Sequence, residues 1–407
     1  MKAIVGLSCW VLGALQGVIL ILVPIMMAQG QLTAWMIAIP LSLGTFIFVV
    51  GSGYWGKWLD RSVANKRPLA GILTLILFGF TLSQLSFLAL LESRQLTGIS
   101  LIIGLCFSRV LHGMFCSGVI PTAQLWLSQK DQRGEKLVWV TISTNIGRLT
   151  APLLTFLPLD IEYFSLWFVA AMTVLAFVLS CLMLVKSPTT KDAESLLVTN
   201  HIPLDASAHQ NMKLIGSTVI VTAFLITLFS SQLQFSLGPL LSNGLMTAAQ
   251  ASAMVAELLL SASVSALVSL FFLYKLLIRS TPLFLVFITV SFFIGTILFV
   301  LQIQLMLSVM LISSALAMAP AWYTAVAMRS TDNQKAQVSA SISQGHTLGN
   351  AFGALLAGLL LAWDSNYLFP GFVILMLLIV LGWSRLYQQS IRLNNAVVNL
   401  PRQSEIE

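Results

Sequence analysis

The sequence predicts an all-α polytopic membrane protein whose twelve transmembrane helices form two pseudo-symmetric six-helix bundles. Three observations carry this reading. Of the 407 residues, 57% are apolar and only 9% charged, where a soluble domain carries about a quarter charged residues. Apolar runs of about 20 residues, the length that spans a hydrocarbon layer about 30 Å thick, recur along the whole chain. The basic residues gather on alternate loops between those runs. The same composition excludes a water-soluble globule and a disordered chain, and with Gly 26 and Cys 4 it excludes collagen-like and disulfide scaffolds. Cys9, Cys106, Cys116 and Cys181 all lie in apolar stretches and do not report a redox compartment.

The runs fall at residues 4–28, 35–57, 69–91, 98–127, 137–158, 163–186, 214–240, 250–275, 281–301, 304–328, 337–362 and 366–388. They are continuous, as in residues 73–82 (LTLILFGFTL), and do not alternate as barrel strands do. The first follows Met1-Lys2 directly, exceeds the apolar core of a signal peptide and lacks a small-residue cleavage site, so it is expected to be retained. The second stops at Lys57 and Arg61, and the third starts after Pro68 and ends at Glu92. The fourth and fifth hold Arg109 and Arg148, and the sixth stops at Lys186. The seventh carries Gln232 and Gln234, and the eighth carries Glu257. The ninth follows Arg279 and carries Pro282 at its start, the tenth ends before Arg329, the eleventh is glycine-rich, and the twelfth holds Arg385 near its end. Trp35, Trp55, Trp126, Trp322 and Trp363 lie near span ends, where aromatic rings are expected to anchor at the interface.

With loops assigned alternately, one side receives 18 of the 21 Lys and Arg residues; the other holds Arg94 beside Glu92, Asp160, Glu162 and Asp364. An error in the number of helices would scatter these charges. The positive-inside rule then places both termini in the cytoplasm, in what is expected to be a bacterial inner membrane. The polar stretch 187–213 reads as a cytoplasmic linker, too short to bury a core of its own. It divides an N-terminal six-helix bundle, 1–186, from a C-terminal one, 214–390, with a cytoplasmic tail over 391–407. A weak repeat agrees: Lys57, Arg61 and Pro68 are echoed by Lys275, Arg279 and Pro282. Residues 131–134 (DQRG) are echoed 202 residues later by 333–336 (NQKA), Gly147 falls on Gly349, and Ala151 on Gly353. Duplicated halves suit a carrier that rocks around a midplane site.

Three stretches resemble the major facilitator superfamily. Residues 56–69 (GKWLDRSVANKRPL) resemble its G-x-x-x-D-R-x-G-R-R/K signature, with Gly56, Asp60 and Arg61 in register but Lys66 and Arg67 about two residues late. Residues 105–113 (LCFSRVLHG) resemble the membrane-embedded R-x-x-Q-G pattern, with His112 in place of Gln. Residues 147–154 (GRLTAPLL) resemble the antiporter motif G-x-x-x-G-P, Gly147 and Pro152 matching and Ala151 replacing the second Gly. The resemblance implies a proton-coupled antiporter of the drug/metabolite branch. It also implies a conformational latch in which Asp60 meets the positive N-terminus of the eleventh helix near Ala336 to Val338.

A cation at the bilayer centre costs about 2.5–3.5 kcal/mol on insertion scales unless it meets protein or water. Arg109 is therefore expected to face a cavity or to bond carbonyls between helices. His112, three residues on, shares its face as a cavity group or a core imidazole. Arg148 is a second such cation, and no Asp or Glu occurs in helices 1, 2, 4 or 5. An unneutralised guanidinium favours carboxylates or phosphates, so the expected substrate is a small organic anion, with structural packing of Arg148 as the other reading. Glu257, the acidic residue deep in a span, is the candidate proton carrier, or else a neutral or counter-ion carboxyl. Gln16, Gln232, Gln234, Gln344 and His346 are further candidates for the substrate path. Gly345, Gly349 and Gly353 allow close helix approach.

No phosphate loop, nucleophile triad or metal-spaced Cys/His cluster is present in the sequence. The expectation is a transporter without catalytic residues, metal or cofactor, energised by a proton gradient. It is expected to be a monomer in lipid, and no soluble basic domain is available to bind nucleic acid. The substrate expected is a polycarboxylate metabolite or a siderophore-like anion, moved outward. The alternatives are a multidrug:proton antiporter and a proton-driven uptake symporter.

Overall fold

The computed structural model describes the chain apart from residues 1, 65–68, 94, 129–137, 158–162, 187–207, 243–245, 330–334 and 399–407. Among the described residues twelve helices carry the fold: α1 Ala3–Gly30, α2 Ala34–Leu59, α3 Leu69–Glu92, α4 Gly98–Trp126, α5 Val138–Thr155, α6 Phe164–Val185, α7 Ser217–Ser242, α8 Ala248–Leu277, α9 Thr281–Val300, α10 Leu305–Ala327, α11 Ser341–Trp363 and α12 Ser365–Arg392. Eleven of them are long and apolar enough to cross a membrane. The other, α5, is interrupted by Asn145, Arg148 and four threonines. Helix α4 breaks between Cys116 and Val119, and α8 contains a π-turn at Ser269–Leu273.

Helical structure begins at Ala208, inside the stretch expected to be linker, because residues 208–213 (AHQNMK) are rich in good helix formers. It likewise continues to Val398, past the expected end of the twelfth helix. The rest of the expected linker, 187–207, lies outside the described residues, as does the end of the expected tail.

The chain groups into two compact units. The first comprises Met1–Asn200, Ser231–Val264 and Asn350–Leu368. Lipid offers no hydrophobic drive between helices, so small residues that let backbones touch decide the packing. Helices α1 and α5 meet along such a seam. A Cβ at Gly13 would strike the Thr144 carbonyl, one at Gly147 would strike the Trp10 carbonyl, and Gly17 abuts Ala151. Trp10 Nε1 donates to Thr150 Oγ1 across the seam at 3.2 Å. Helices α2 and α4 cross where Gly113 faces the Gly44 carbonyl. Within this unit the parts of α7, α8 and α11 that belong to it also lie on α1 and α2. Ser252 Oγ donates to the Ile21 carbonyl at 2.7 Å, Gly238 faces Val23 and Pro24, Gly358 faces Trp35 and Ala38, and Phe352 meets Phe46 edge-on at 5.0 Å.

The second unit comprises His201–Ser230, Ser265–Gly349 and Phe369–Glu407. Its core is an aromatic cluster in which Phe292 touches Phe229 and Trp383, while Phe372 touches Phe229 and Phe299. Gly349 lies against the Phe224 carbonyl of α7, just as Gly147, 202 residues earlier, lies against the Trp10 carbonyl of α1. The two glycines singled out by the repeat thus make the equivalent contact, each on the first helix of its unit.

The tryptophans divide. Trp363 is 85% exposed, as an interface anchor should be, but Trp55, Trp126 and Trp322 are buried. Trp55 Nε1 donates to the Met114 carbonyl at 2.6 Å, so this ring fills the α2/α4 crossing instead of resting at the interface.

Because the α1/α5 seam has no room for a side chain, Gly147→Val is expected to lower stability by about 3 kcal/mol or more, at or above the top of the ordinary overpacking range. Gly53→Ala, where a Cβ meets nothing within 4 Å, is expected to leave it unchanged. Thermal denaturation of the two detergent-solubilised variants checks the contrast.

Candidate substrate site in the first unit

The polar groups of α5 form a stripe. Thr144, Asn145, Arg148 and Thr155 recur at helical spacing, while the exposed apolar residues Ile146 and Leu153 lie on another face, about 200° from Arg148 for Ile146. The buried residues Gly147 and Ala151 face α1. Arg148 is exposed at its end of this stripe, so its guanidinium stands on the polar side of the helix and not on the side bearing the large apolar residues.

Its partners are neutral. Arg148 Nε and Nη2 both donate to Gln16 Oε1, at 3.0 and 2.9 Å, and Nη1 reaches Asn145 Oδ1 at 3.4 Å. Gln16 is the exposed residue at the middle of α1, a helix otherwise closed over most of its circumference. Two residues selected separately in the sequence are therefore brought together. Asn145 was missed; its position three residues before Arg148, on a face shared with Thr144, is the signal that could have found it.

Glu257 lies at the same depth. Ser252 of α8 is fixed to Ile21 of α1, and Glu257 and Gln16 each lie five residues, about 7.5 Å of helix, along from that contact towards the membrane centre. The Glu257 side chain is exposed, on a stripe shared with Ala253, Val264 and Val268. It is not enclosed in an apolar pocket.

The other arginine differs. Arg109 is only 8% exposed, its guanidinium carbon sits 5.7 Å from the centroid of the Phe87 ring, and its Nε has no hydrogen-bond partner. A Cβ on Gly44 would come within 3.3 Å of that Nε. Arg109 is thus enclosed among α2, α3 and α4, in a cation–π contact, and does not face an open path as expected. His112 is likewise a core residue. Its Nδ1 is 3.1 Å from Gln84 Nε2, its Nε2 is 3.2 Å from Cys116 Sγ, and Phe80 lies against the ring. Both nitrogens are occupied between α3 and α4, leaving none for a substrate.

Gln232 is completely buried in the first unit, with neither amide atom partnered, while Gln234 is half-buried. In the second unit His346 is half-buried, with Nε2 bound to the hydroxyl of the fully buried Tyr323 at 2.8 Å, and Gln344 is exposed. Of the expected latch, Arg61 is exposed and a Cβ at Gly56 would meet nothing within 4 Å, so packing does not demand glycine there. The side chains of Asp60 and of residues 336–338 lie outside the described residues. In the helix 5 motif, Gly147 and Ala151 seat α5 on α1, and Pro152 is buried within the helix. Among the described residues no group of three His, Cys, Asp or Glu is placed to hold a metal.

An amide buried without partners costs about 1–3 kcal/mol. Gln232→Leu is therefore expected to raise the thermal midpoint of the purified protein. A lower midpoint would show that this amide finds partners in the folded state.

No curated protein matches the sequence closely enough to count as a relative. Solved structures match throughout. A D-xylose-proton symporter superposes with a TM-score of 0.69 at 13% identity, covering 95% of this chain and 96% of that one. The nucleoside transporter NupG gives 0.66 at 11%, covering 95% and 98%, and a bacterial homologue of the human lysosomal transporter Spinster gives 0.65 at 14%, covering 96% and 95%. At these identities the likeness establishes the twelve-helix fold alone. The family model of the Major Facilitator Superfamily matches residues 5–233, more than half of the sequence, and the chain belongs to that superfamily: it is an integral membrane secondary transporter of a small-molecule substrate.

Proposed function

We propose that the protein exports a small organic anion, of the polycarboxylate or siderophore-like kind, in exchange for protons by alternating access. The observation that carries the reading is the Arg148 guanidinium, midway along α5, bonded to two carboxamides and opposed by no carboxylate among its described partners. Hydrogen bonding to neutral oxygens meets the cost of the donors but leaves the charge in place. Charge-assisted bonds to an arriving carboxylate are roughly twice as strong as neutral ones, so an anion gains where a neutral solute does not. Arg109, enclosed beneath Phe87, is assigned a different part from contact: it adds positive potential to the same bundle.

Glu257 is assigned to proton transfer. It lies at the level of Gln16, its side chain is exposed, and it bears the charge opposite to the substrate site. A carboxylate that empties its proton while the anion is bound elsewhere links the two fluxes. The outward direction rests on the resemblance of Gly147, Ala151 and Pro152 to the antiporter motif. The six-plus-six division about the linker supplies the halves that would rock, Asp60 and Arg61 the latch, and a monomer in the bacterial inner membrane, with both termini in the cytoplasm, the working form.

Proteoliposomes with an imposed proton gradient should accumulate labelled carboxylates, and Arg148→Gln should weaken their binding at least about 30-fold, as loss of one member of a charge pair does. Glu257→Gln should abolish gradient-driven accumulation yet preserve exchange of labelled for unlabelled anion. Equal transport of carboxylates and of their neutral esters would refute the anion assignment, and transport of lipophilic cations undiminished by Arg148→Gln would favour a multidrug antiporter.

A further inference from the structure

We infer that Gln16 is a resident stand-in for the substrate's carboxylate: it occupies the Arg148 edge that the anion takes, and leaves it when the anion binds. This rests on the anion reading above and specifies how that site recognises its cargo.

The geometry is particular. Arg148 offers two bidentate edges, and the one formed by Nε and Nη2 is closed by a single oxygen, Gln16 Oε1, at 3.0 and 2.9 Å. The other edge is held loosely, by one contact of 3.4 Å from Nη1 to Asn145. The Nε–Nη2 edge is matched to a planar carboxylate, which places one oxygen opposite each nitrogen. A carboxamide presents one oxygen and an NH2 group, so it imitates half of a carboxylate. Gln16 reaches the edge from a different helix, at the centre of α1, where it is the exposed residue.

The substitution solves a problem that an anion carrier faces when empty. A guanidinium without partners in the membrane is costly, whereas a resident Glu would neutralise it and compete with the cargo on equal terms. A glutamine satisfies the donors with neutral bonds, keeps the positive charge uncancelled, and yields to a carboxylate because the charge-assisted pair is stronger. Once displaced, its carboxamide retains a donor and an acceptor for a neighbouring hydroxyl, carbonyl or amide of the cargo. The class specified is a carboxylate with a polar substituent beside it.

Acetate and acetamide are minimal probes of nearly equal size: acetate carries the charge and two acceptor oxygens, acetamide is neutral and presents one oxygen and an NH2 group. Thermal unfolding of the purified full-length protein should show a stabilisation by acetate, beyond that of chloride at equal ionic strength, that acetamide lacks. Gln16→Glu should raise the probe-free midpoint and eliminate the acetate increment. Gln16→Ala should lower the half-saturating acetate concentration about three- to tenfold, since no occupant has to leave. Gln16→Asn, too short to reach, should resemble Gln16→Ala. An acetate increment preserved in Gln16→Glu, or weaker acetate binding in both Gln16→Ala and Gln16→Asn, overturns the stand-in while leaving an anion site at Arg148. No increment in the unmodified protein removes the anion site itself, and the stand-in with it.

Discussion

The contact between the backbones of α1 and α5 is the constraint from which the candidate site follows. Gly13 and Gly147 each face a carbonyl of the other helix, and Gly17 faces Ala151, with no space at the first two for even a methyl group. At that separation the carboxamide of Gln16 on α1 reaches the guanidinium of Arg148 on α5. Any larger residue along the seam would part the helices and leave the Arg148 donors unsatisfied in a medium that supplies no replacement. The residues resembling an antiporter motif thus have a local meaning that precedes their family meaning: they are where two helices touch.

From this contact the electrostatics follow. The membrane penalises charge and unmade hydrogen bonds separately, and the protein treats them separately at Arg148. Gln16 and Asn145 accept three of its hydrogen bonds, and the charge is left uncancelled by them, which on the function proposed above is the attraction for the anion. The same physics makes Glu257 conspicuous at equal depth on α8, since an exposed carboxyl on an otherwise apolar stripe has no packing reason to be there.

The helices were legible in the sequence because the solvent is lipid: runs such as residues 73–82 have one solution at that length. Arg148 and Gln16 were legible as polar interruptions of such runs. Their mutual contact was not, because it depends on the crossing of α1 and α5. The orientations of Arg109 and His112 were beyond the sequence for a related reason. Spacing shows that two residues share a helix face, but in a helix apolar on every side nothing says which neighbour that face meets. Trp55, Trp126 and Trp322 misled likewise: nearness to a span end is a statement about depth, whereas burial is a statement about rotation. Asn145 and Tyr323 were readable only as partners, once Arg148 and His346 had a position.

Two arginines within the helices of one unit therefore show how little a residue type alone decides. Arg109 lies over Phe87 and under Gly44, enclosed by α2, α3 and α4, and exchanging its partner would require those helices to separate. Arg148 is held by one flexible side chain from α1 and a long contact within α5. A rotamer change of Gln16, costing little beside helix separation, is enough to release it. The first arrangement suits a fixed charge that shapes the field of the bundle; the second suits a charge that must be satisfied when the carrier is empty and available when it is not. The difference is set by the mobility of the neighbours, which is why the enclosed cation is the poorer candidate for a binding site despite matching the family pattern in its sequence.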